Sequence, residues 1–245
     1  MEKVNILGVK FDNVDMNEAI QKCHEFTNSD NLDMIVTVNP EIVMLARKDK
    51  EFMNNINQAS LVVADGIGVI KAAKMLKTPL KERVAGFDLI CNILQDEQIK
   101  EKKIYILGAK PGVAEQAKIN IENKYKVEVV GTHDGYFTEV QTPQIVQEIS
   151  QSGANILLVG IGMKKQEQFI LKNKDNLNVR LAIGCGGSID VFAGTVQRAP
   201  AFWVNHNLEW LYRVIKQPSR IPRIMALPKF LLVAIFNKGK GDEVV

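Results

Sequence analysis

A chain of 245 residues that is 46% hydrophobic can bury a substantial core, and one domain with an appendage fits its size better than two equal domains. Its net charge of +3 is unevenly spread: residues 198–245 hold eight Lys/Arg against three Asp/Glu, a net of +5, which leaves −2 for residues 1–197. That distribution suits one anionic contact surface and excludes a general nucleic-acid binder, whose positive footprint is broader.

Cys23, Cys91 and Cys185 are odd in number, far apart and without CxxC spacing, which argues against a disulfide framework or a zinc cluster and fits a reducing cytoplasm. His24, His133 and His206 are scattered and there is no D-x-D, so neither a metal nor a cofactor is expected. The first residues mix charges with apolar groups and form neither a secretory signal nor a membrane span.

In chain order, the pattern predicts a helix over 16–27 and a strand over 35–38 that runs into Asn39-Pro40. Helix 41–48, strand 61–64 ending at Asp65-Gly66, and helices 68–77 and 87–94 follow. Strand 104–107 leads to Gly108 and helix 112–125, strand 127–130 to helix 144–150, and strand 156–159 to Gly160 and helix 164–172. A last strand over 180–183 enters the turn Gly184-Cys185-Gly186-Gly187, and 189–193 opens one more short helix. Strands with no polar face, alternating with helices, are what a sheet covered on both sides requires. The fold class is therefore α/β, a Rossmann-like core with a mostly parallel sheet over residues 1–195.

Residues 196–245 read as a basic, apolar appendage. Residues 201–217 predict one helix with an apolar stripe through Val204, Leu208, Leu211 and Ile215, stopped by Pro218. The apolar run 224–236, interrupted by Pro228 and Lys229, is shorter than the roughly 20 residues that cross a bilayer. With Trp203 and Trp210 it suits shallow insertion into an anionic membrane surface, and oligomer contacts are a second use for the same apolar groups.

In an open α/β sheet the ligand crevice lies beyond the carboxyl ends of the strands, where Thr37, Asn39, Asp65, Gly108, Gly162 and the 184–187 turn converge. Residues 108–112 fit either a phosphate contact or an ordinary tight turn. Three glycines in four positions, Gly184, Gly186 and Gly187 before Ser188, favour close approach of a ligand to the backbone, with Cys185 as a small buried filler. Asp65 suits either a helix cap or a general base. Thr37 and Asn39 suit sugar hydroxyls or an amide, although Asn39 before Pro40 is equally a helix cap. Gln166 and Glu167 open a helix after a glycine loop, within reach of a polar ligand or simply solvated.

The segments Thr37-Val38-Asn39-Pro40-Glu41, Ala64-Asp65-Gly66-Ile67-Gly68, Arg83-Val84-Ala85-Gly86, Gly160-Ile161-Gly162 with Lys165-Gln166-Glu167, 184–190, Arg198-Ala199-Pro200 and Leu208-Glu209-Trp210-Leu211-Tyr212-Arg213 occur in one order over nearly the whole chain. Together they resemble the WecG/TagA/CpsF family of bacterial glycosyltransferases, and within it the TagA branch. The resemblance implies an inverting, metal-independent transfer of N-acetylmannosamine from UDP-ManNAc to undecaprenyl-diphosphate-GlcNAc, the linkage step of wall teichoic acid. It places the enzyme in the cytoplasm, peripherally held on the inner face of the cell membrane. Asp65 is then the expected base, with Thr37 and Asn39 orienting sugar groups and Arg83 closing the pocket. Gly108, Gly162, the 184–188 turn and Gln166/Glu167 are expected on the donor nucleotide, and Arg213, Arg220 and Arg223 on a diphosphate. Met163-Lys164-Lys165 lacks a proline common before the lysine in relatives, and Cys185 and Ile189 replace more usual Val and Phe. The competing readings are a relative that uses N-acetylmannosaminuronate or a hexose, and a non-catalytic lipid-diphosphate binding protein.

Overall fold

The computed structural model describes residues 2–218 and 225–237. Its centre is a six-stranded, wholly parallel sheet in the order β4-β3-β8-β7-β5-β6. The strands are β3 (Asp33–Val38), β4 (Leu61–Ala64), β5 (Lys103–Gly108), β6 (Glu128–His133), β7 (Ile156–Gly160) and β8 (Leu181–Gly184). Alternation along each strand fills two separate cores. Met34, Val36, Val38, Val62, Leu107, Leu157 and Val159 pack on one face, and Ile35, Leu61, Val63, Ile104, Ile106, Leu158 and Ile183 on the other. A period of two across a sheet covered on both sides accounts for the unbroken apolar runs.

Helices α1 (Met16–Thr27), α2 (Pro40–Ala46), α4 (Ile67–Met75), α5 (Gly86–Gln95), α6 (Val113–Tyr125), α7 (Thr142–Gln151), α8 (Lys165–Lys172) and α9 (Ser188–Phe192) match the predicted ones to within a few residues. Two features were not predicted. An antiparallel hairpin of β1 (Lys3–Ile6) and β2 (Val9–Asp12) precedes the sheet, and α3 (Lys50–Asn57) packs on β2 and α8. The hairpin is tied to the sheet by Asp12, only 5% exposed, whose Oδ2 accepts the Val62 N–H at 2.8 Å.

The predicted helix over 201–217 is two helices, α10 (Ala201–Asn205) and α11 (Glu209–Lys216). Asn207 sits between them at φ 59°, and the Leu208 N–H bonds back to the Trp203 carbonyl at 2.7 Å. Such a left-handed residue after a helix end, with the bond spanning six residues, closes a helix and turns the chain, and asparagine tolerates the conformation better than most residues.

The last of the described helices, α12 (Ala226–Phe236), packs against α2 and α4. Phe230 and Ala234 are fully buried there, in the same core as β3 and β4. Leu232, Ile235 and Phe236 are exposed. The apolar run is thus divided between a face that completes the core and a face open to the surroundings. Among the described residues no helix is long and apolar enough to cross a membrane.

Candidate active site

At the carboxyl end of β4 the chain must leave the sheet, and Asp65 is the first residue past it. Its N–H is held by the Val38 carbonyl at 2.9 Å. The connection to α5 returns alongside, with the Val84 N–H on the Ala64 carbonyl at 3.0 Å, which brings Arg83 next to Asp65. The helix α5 starts against this edge because Gly86 has no side chain: a Cβ there would stand 2.8 Å from Thr37 Cγ2 and 2.9 Å from its Oγ1. Its N–H donates to Asp65 Oδ2 at 3.3 Å.

The pocket over Asp65 is lined by Asn39, Glu41, Arg83, Asp88, Arg198, Glu209 and Arg213, with Phe87, Trp210 and Leu227 as apolar walls. Arg83 Nη2 donates to Glu209 Oε2 at 3.0 Å and lies 3.8 Å from Asp65 Oδ1. Arg213 pairs with the other oxygen of Glu209. The Arg198 and Asp88 side chains pair at the rim, with the Arg198 guanidinium over the Phe87 ring. The pocket therefore mixes carboxylates and guanidiniums within one small volume, and α11 supplies two of them.

Burial pushes the Asp65 carboxyl above the ordinary carboxylate range; Arg83 opposes that shift and the like charge of Glu209 adds to it. For Glu209, burial works in the same direction but is outweighed by Arg213 and Arg83, which hold its carboxyl below the ordinary value. Two carboxylates in one pocket thus have their protonation pushed apart, the arrangement by which acid and base roles are separated. Asp65 keeps 32% of its side-chain surface open, so a hydroxyl group has access to it.

The sequence-predicted residues fall into two groups. Asp65, Asn39, Arg83 and Arg213 line one pocket, and Thr37 lies behind it against α5. Asn39 caps α2, its side chain accepting the Ile42 N–H at 3.0 Å, and it also lines the pocket wall. The second group lies along the ends of β5, β7 and β8. Gly108 is buried at φ 145°, where a Cβ would meet the Gly160 backbone at 2.6 Å, and a Cβ on Gly160 would stand equally close to the Gly186 carbonyl oxygen. Gly162 and Gly187 are exposed, with Gly186 and Ser188 half-buried.

Gln166 and Glu167 are not a solvated first turn: they are 3% and 0% exposed. Gln166 Oε1 accepts the Gly186 N–H at 3.2 Å, and its Nε2 donates to Glu167 Oε1 at 2.8 Å. They brace the glycine turn from behind, and Gly184 is glycine because a Cβ would sit 2.7 Å from Gln166 Nε2. Burial drives the Glu167 carboxyl upward. Arg220 and Arg223 lie outside the described residues. Glu209 was not singled out from the sequence, although the structure makes it the carboxylate shared by two arginines. Among the described residues no three His, Cys, Asp or Glu side chains are grouped to hold a metal ion.

Comparison with known proteins identifies the family. Residues 4–243 match the family described as "Glycosyl transferase WecG/TagA/CpsF family". The N-acetylglucosaminyldiphosphoundecaprenol N-acetyl-beta-D-mannosaminyltransferase of Staphylococcus aureus strain MRSA252 is 36% identical over 231 residues, covering 94% of this chain and 91% of that protein. The protein of the same name from strain MW2 matches over the same length with the same identity and coverage. With a glycine-lined sheet edge, an accessible carboxylate and a match over nearly its whole length, the chain belongs to the WecG/TagA/CpsF family of glycosyltransferases.

Proposed function

We propose that this glycosyltransferase moves N-acetylmannosamine from UDP-ManNAc to GlcNAc-diphospho-undecaprenol. The product would be the ManNAc-β(1,4)-GlcNAc lipid, the linkage unit of wall teichoic acid. The observation that carries the reading is the open Asp65 carboxylate beside Arg83, Glu209 and Arg213, in a chain so similar to enzymes bearing that name. Asp65 takes the proton of the acceptor's C4 hydroxyl as that oxygen attacks the anomeric carbon, the bond from that carbon to the diphosphate oxygen breaks, and UDP leaves with the electron pair. Attack from the face opposite the leaving group inverts the configuration. The donor nucleotide rests on the glycine-rich edge at Gly108, Gly162 and residues 184–188, braced by Gln166 and Glu167, while Thr37 and Asn39 orient the sugars. The leaving charge is met by guanidiniums, Arg213 with Arg220 and Arg223.

The test is mass analysis of the lipid product with UDP release, using UDP-ManNAc and a GlcNAc-diphosphate-lipid acceptor in the presence of EDTA. A disaccharide lipid is expected; product only with another UDP-sugar would move the donor assignment, and none with any donor would favour a binding protein. Over pH, the base form of Asp65 is needed, so kcat/KM falls as pH drops through its folded pKa. Because burial raises that pKa, the acid limb should lie above the ordinary aspartate value of about 4. A limb at or below 4 would mean that Arg83 outweighs burial at Asp65.

The lipid acceptor stays in its bilayer, so the enzyme works from the membrane surface. Phe202 on α10 and Ile215 on α11 are 62% and 59% exposed, and Lys216 follows Ile215 at the end of α11. Each cation near an anionic leaflet adds on the order of 1 kcal/mol of attraction. Replacing both Phe202 and Ile215 with Ser should lower flotation with anionic vesicles by about tenfold or more, since each apolar side chain withdrawn from water contributes about 1.5–3 kcal/mol. Unchanged flotation would place the contact surface elsewhere.

A further inference from the structure

We propose that Glu209 is a positioning residue: reaching back from α11, its carboxylate holds the Arg83 guanidinium off Asp65, so that the base is competent only while α11 is docked on the core. The inference rests on Asp65 being the base, as read above, and adds a residue that the reaction itself does not require.

The geometry is specific. One atom, Arg83 Nη2, faces two carboxylates, and the nearer is Glu209 at 3.0 Å, with Asp65 at 3.8 Å. Arg83 Nε is buried without a partner among the described residues, so Nη2 is what ties this guanidinium to its neighbours. Glu209 is itself well enclosed, 13% exposed, and its second oxygen is taken by Arg213 one helical turn further along α11. A carboxylate bridging two arginines has little freedom to swing away, which fixes both guanidiniums relative to Asp65.

Without that bridge, Asp65 is the carboxylate that remains within 4 Å of Arg83 among the described residues. The guanidinium would close on Asp65 and stabilise its ionised form, the opposite of what a base about to accept a proton needs. The groups facing Asp65 are Arg83 from the connection before α5, the Gly86 N–H from the first turn of α5, and Glu209 and Arg213 from α11. Glu41 of α2 lines the same pocket, as do Asp88 and Arg198, which pair with each other. Among the described residues, Glu209 and Asp65 are the two carboxylates within 4 Å of Arg83. Glu209 therefore couples the seating of the C-terminal helices to the basicity of a residue on the sheet edge, 144 positions earlier in the chain.

The experiment compares the full chain with Glu209→Gln and Glu209→Asp by two readouts. The first needs no substrate: carbon-13 NMR of carboxyl-labelled aspartates follows the titration of Asp65, assigned by its loss in Asp65→Asn. Glu209→Gln should move that midpoint to lower pH, with Glu209→Asp, which keeps the charge, lying between the two. The second is turnover, where Glu209→Gln should lower kcat about tenfold or more and carry the acid limb of the pH profile downward with the NMR midpoint. Thermal melting of each variant confirms the fold. An Asp65 midpoint unmoved in Glu209→Gln overturns the inference whatever happens to the rate. If the full chain fails to transfer while the midpoint still moves, the transfer reading falls and the Glu209 coupling stands.

Discussion

Asp65→Asn should keep its fold and lose transfer, with kcat lower by about 10²–10⁴-fold and the KM for the donor little changed. The amide has nearly the shape of the carboxylate and can still accept the Gly86 N–H that reaches Asp65 at 3.3 Å. Arg83 keeps its nearer partner, Glu209, at 3.0 Å, so this guanidinium is not left without a carboxylate. The substitution also removes a charge that burial disfavours, as the upward shift of the Asp65 carboxyl indicates. What the amide cannot do is take the hydroxyl proton. Steady-state UDP release by the variant, with its melting temperature, is the measurement. Turnover within a few-fold of the parent chain, with the fold intact, would mean that another group or water accepts the proton.

The residues that could be read from the sequence share a physical reason for being readable. β3, β4, β5, β7 and β8 are buried on both faces and so announce themselves as continuous apolar runs; their ends, and with them Asp65 and the glycine edge, follow at once. The β1-β2 hairpin gave no such signal. Its strands are four residues long, and its turn places Leu7 at φ 55° before Gly8 at φ 96°, whereas asparagine or aspartate is the usual mark of that turn. Helix α3 is rich in asparagine, a weak helix former, and is held by the Asp49 cap and the burial of Phe52 and Ile56. Contact with the rest of the fold decides such segments.

Long-range pairing was the least legible part of the site. Glu209 looks like an acidic residue in the first turn of a helix, a common placement that complements the helix dipole. Nothing local reveals that it meets Arg83, 126 residues earlier. Gln166 and Glu167 misled in the opposite sense: polar residues opening a helix are ordinarily wet, yet these two are sealed beneath the 184–187 turn because Gly184 leaves them room. The sequence therefore points to the sheet edge that holds the candidate site, while the charges gathered around Asp65 depend on how α11 folds back.

The apolar run near the C-terminus permits the second large expected effect, because α12 serves two environments at once. Phe230 is 0% exposed, in a core shared with β3, β4, α2 and α4. Gly68 of α4 shows how closely α12 approaches: a Cβ there would stand 2.4 Å from Leu227 Cδ1. Phe230→Ala should cost about 3–5 kcal/mol of unfolding free energy, combining lost transfer energy with the cavity left behind. In a chain of this size that lowers the melting temperature by on the order of 10 °C. Phe236, on the same helix but 79% exposed, supplies the control: its replacement by Ala should change stability by less than about 0.5 kcal/mol. Urea denaturation of the two variants separates the faces, and equal, small losses would mean that α12 does not rest on the core in solution. Leu227 lines the pocket over Asp65 from the same helix, so the loosened Phe230 variant should also bind donor less tightly below its melting point. The Phe236 variant should keep donor binding and lose only membrane association. Such a split would make α12 a structural wall of the active site on one side and a contact surface on the other.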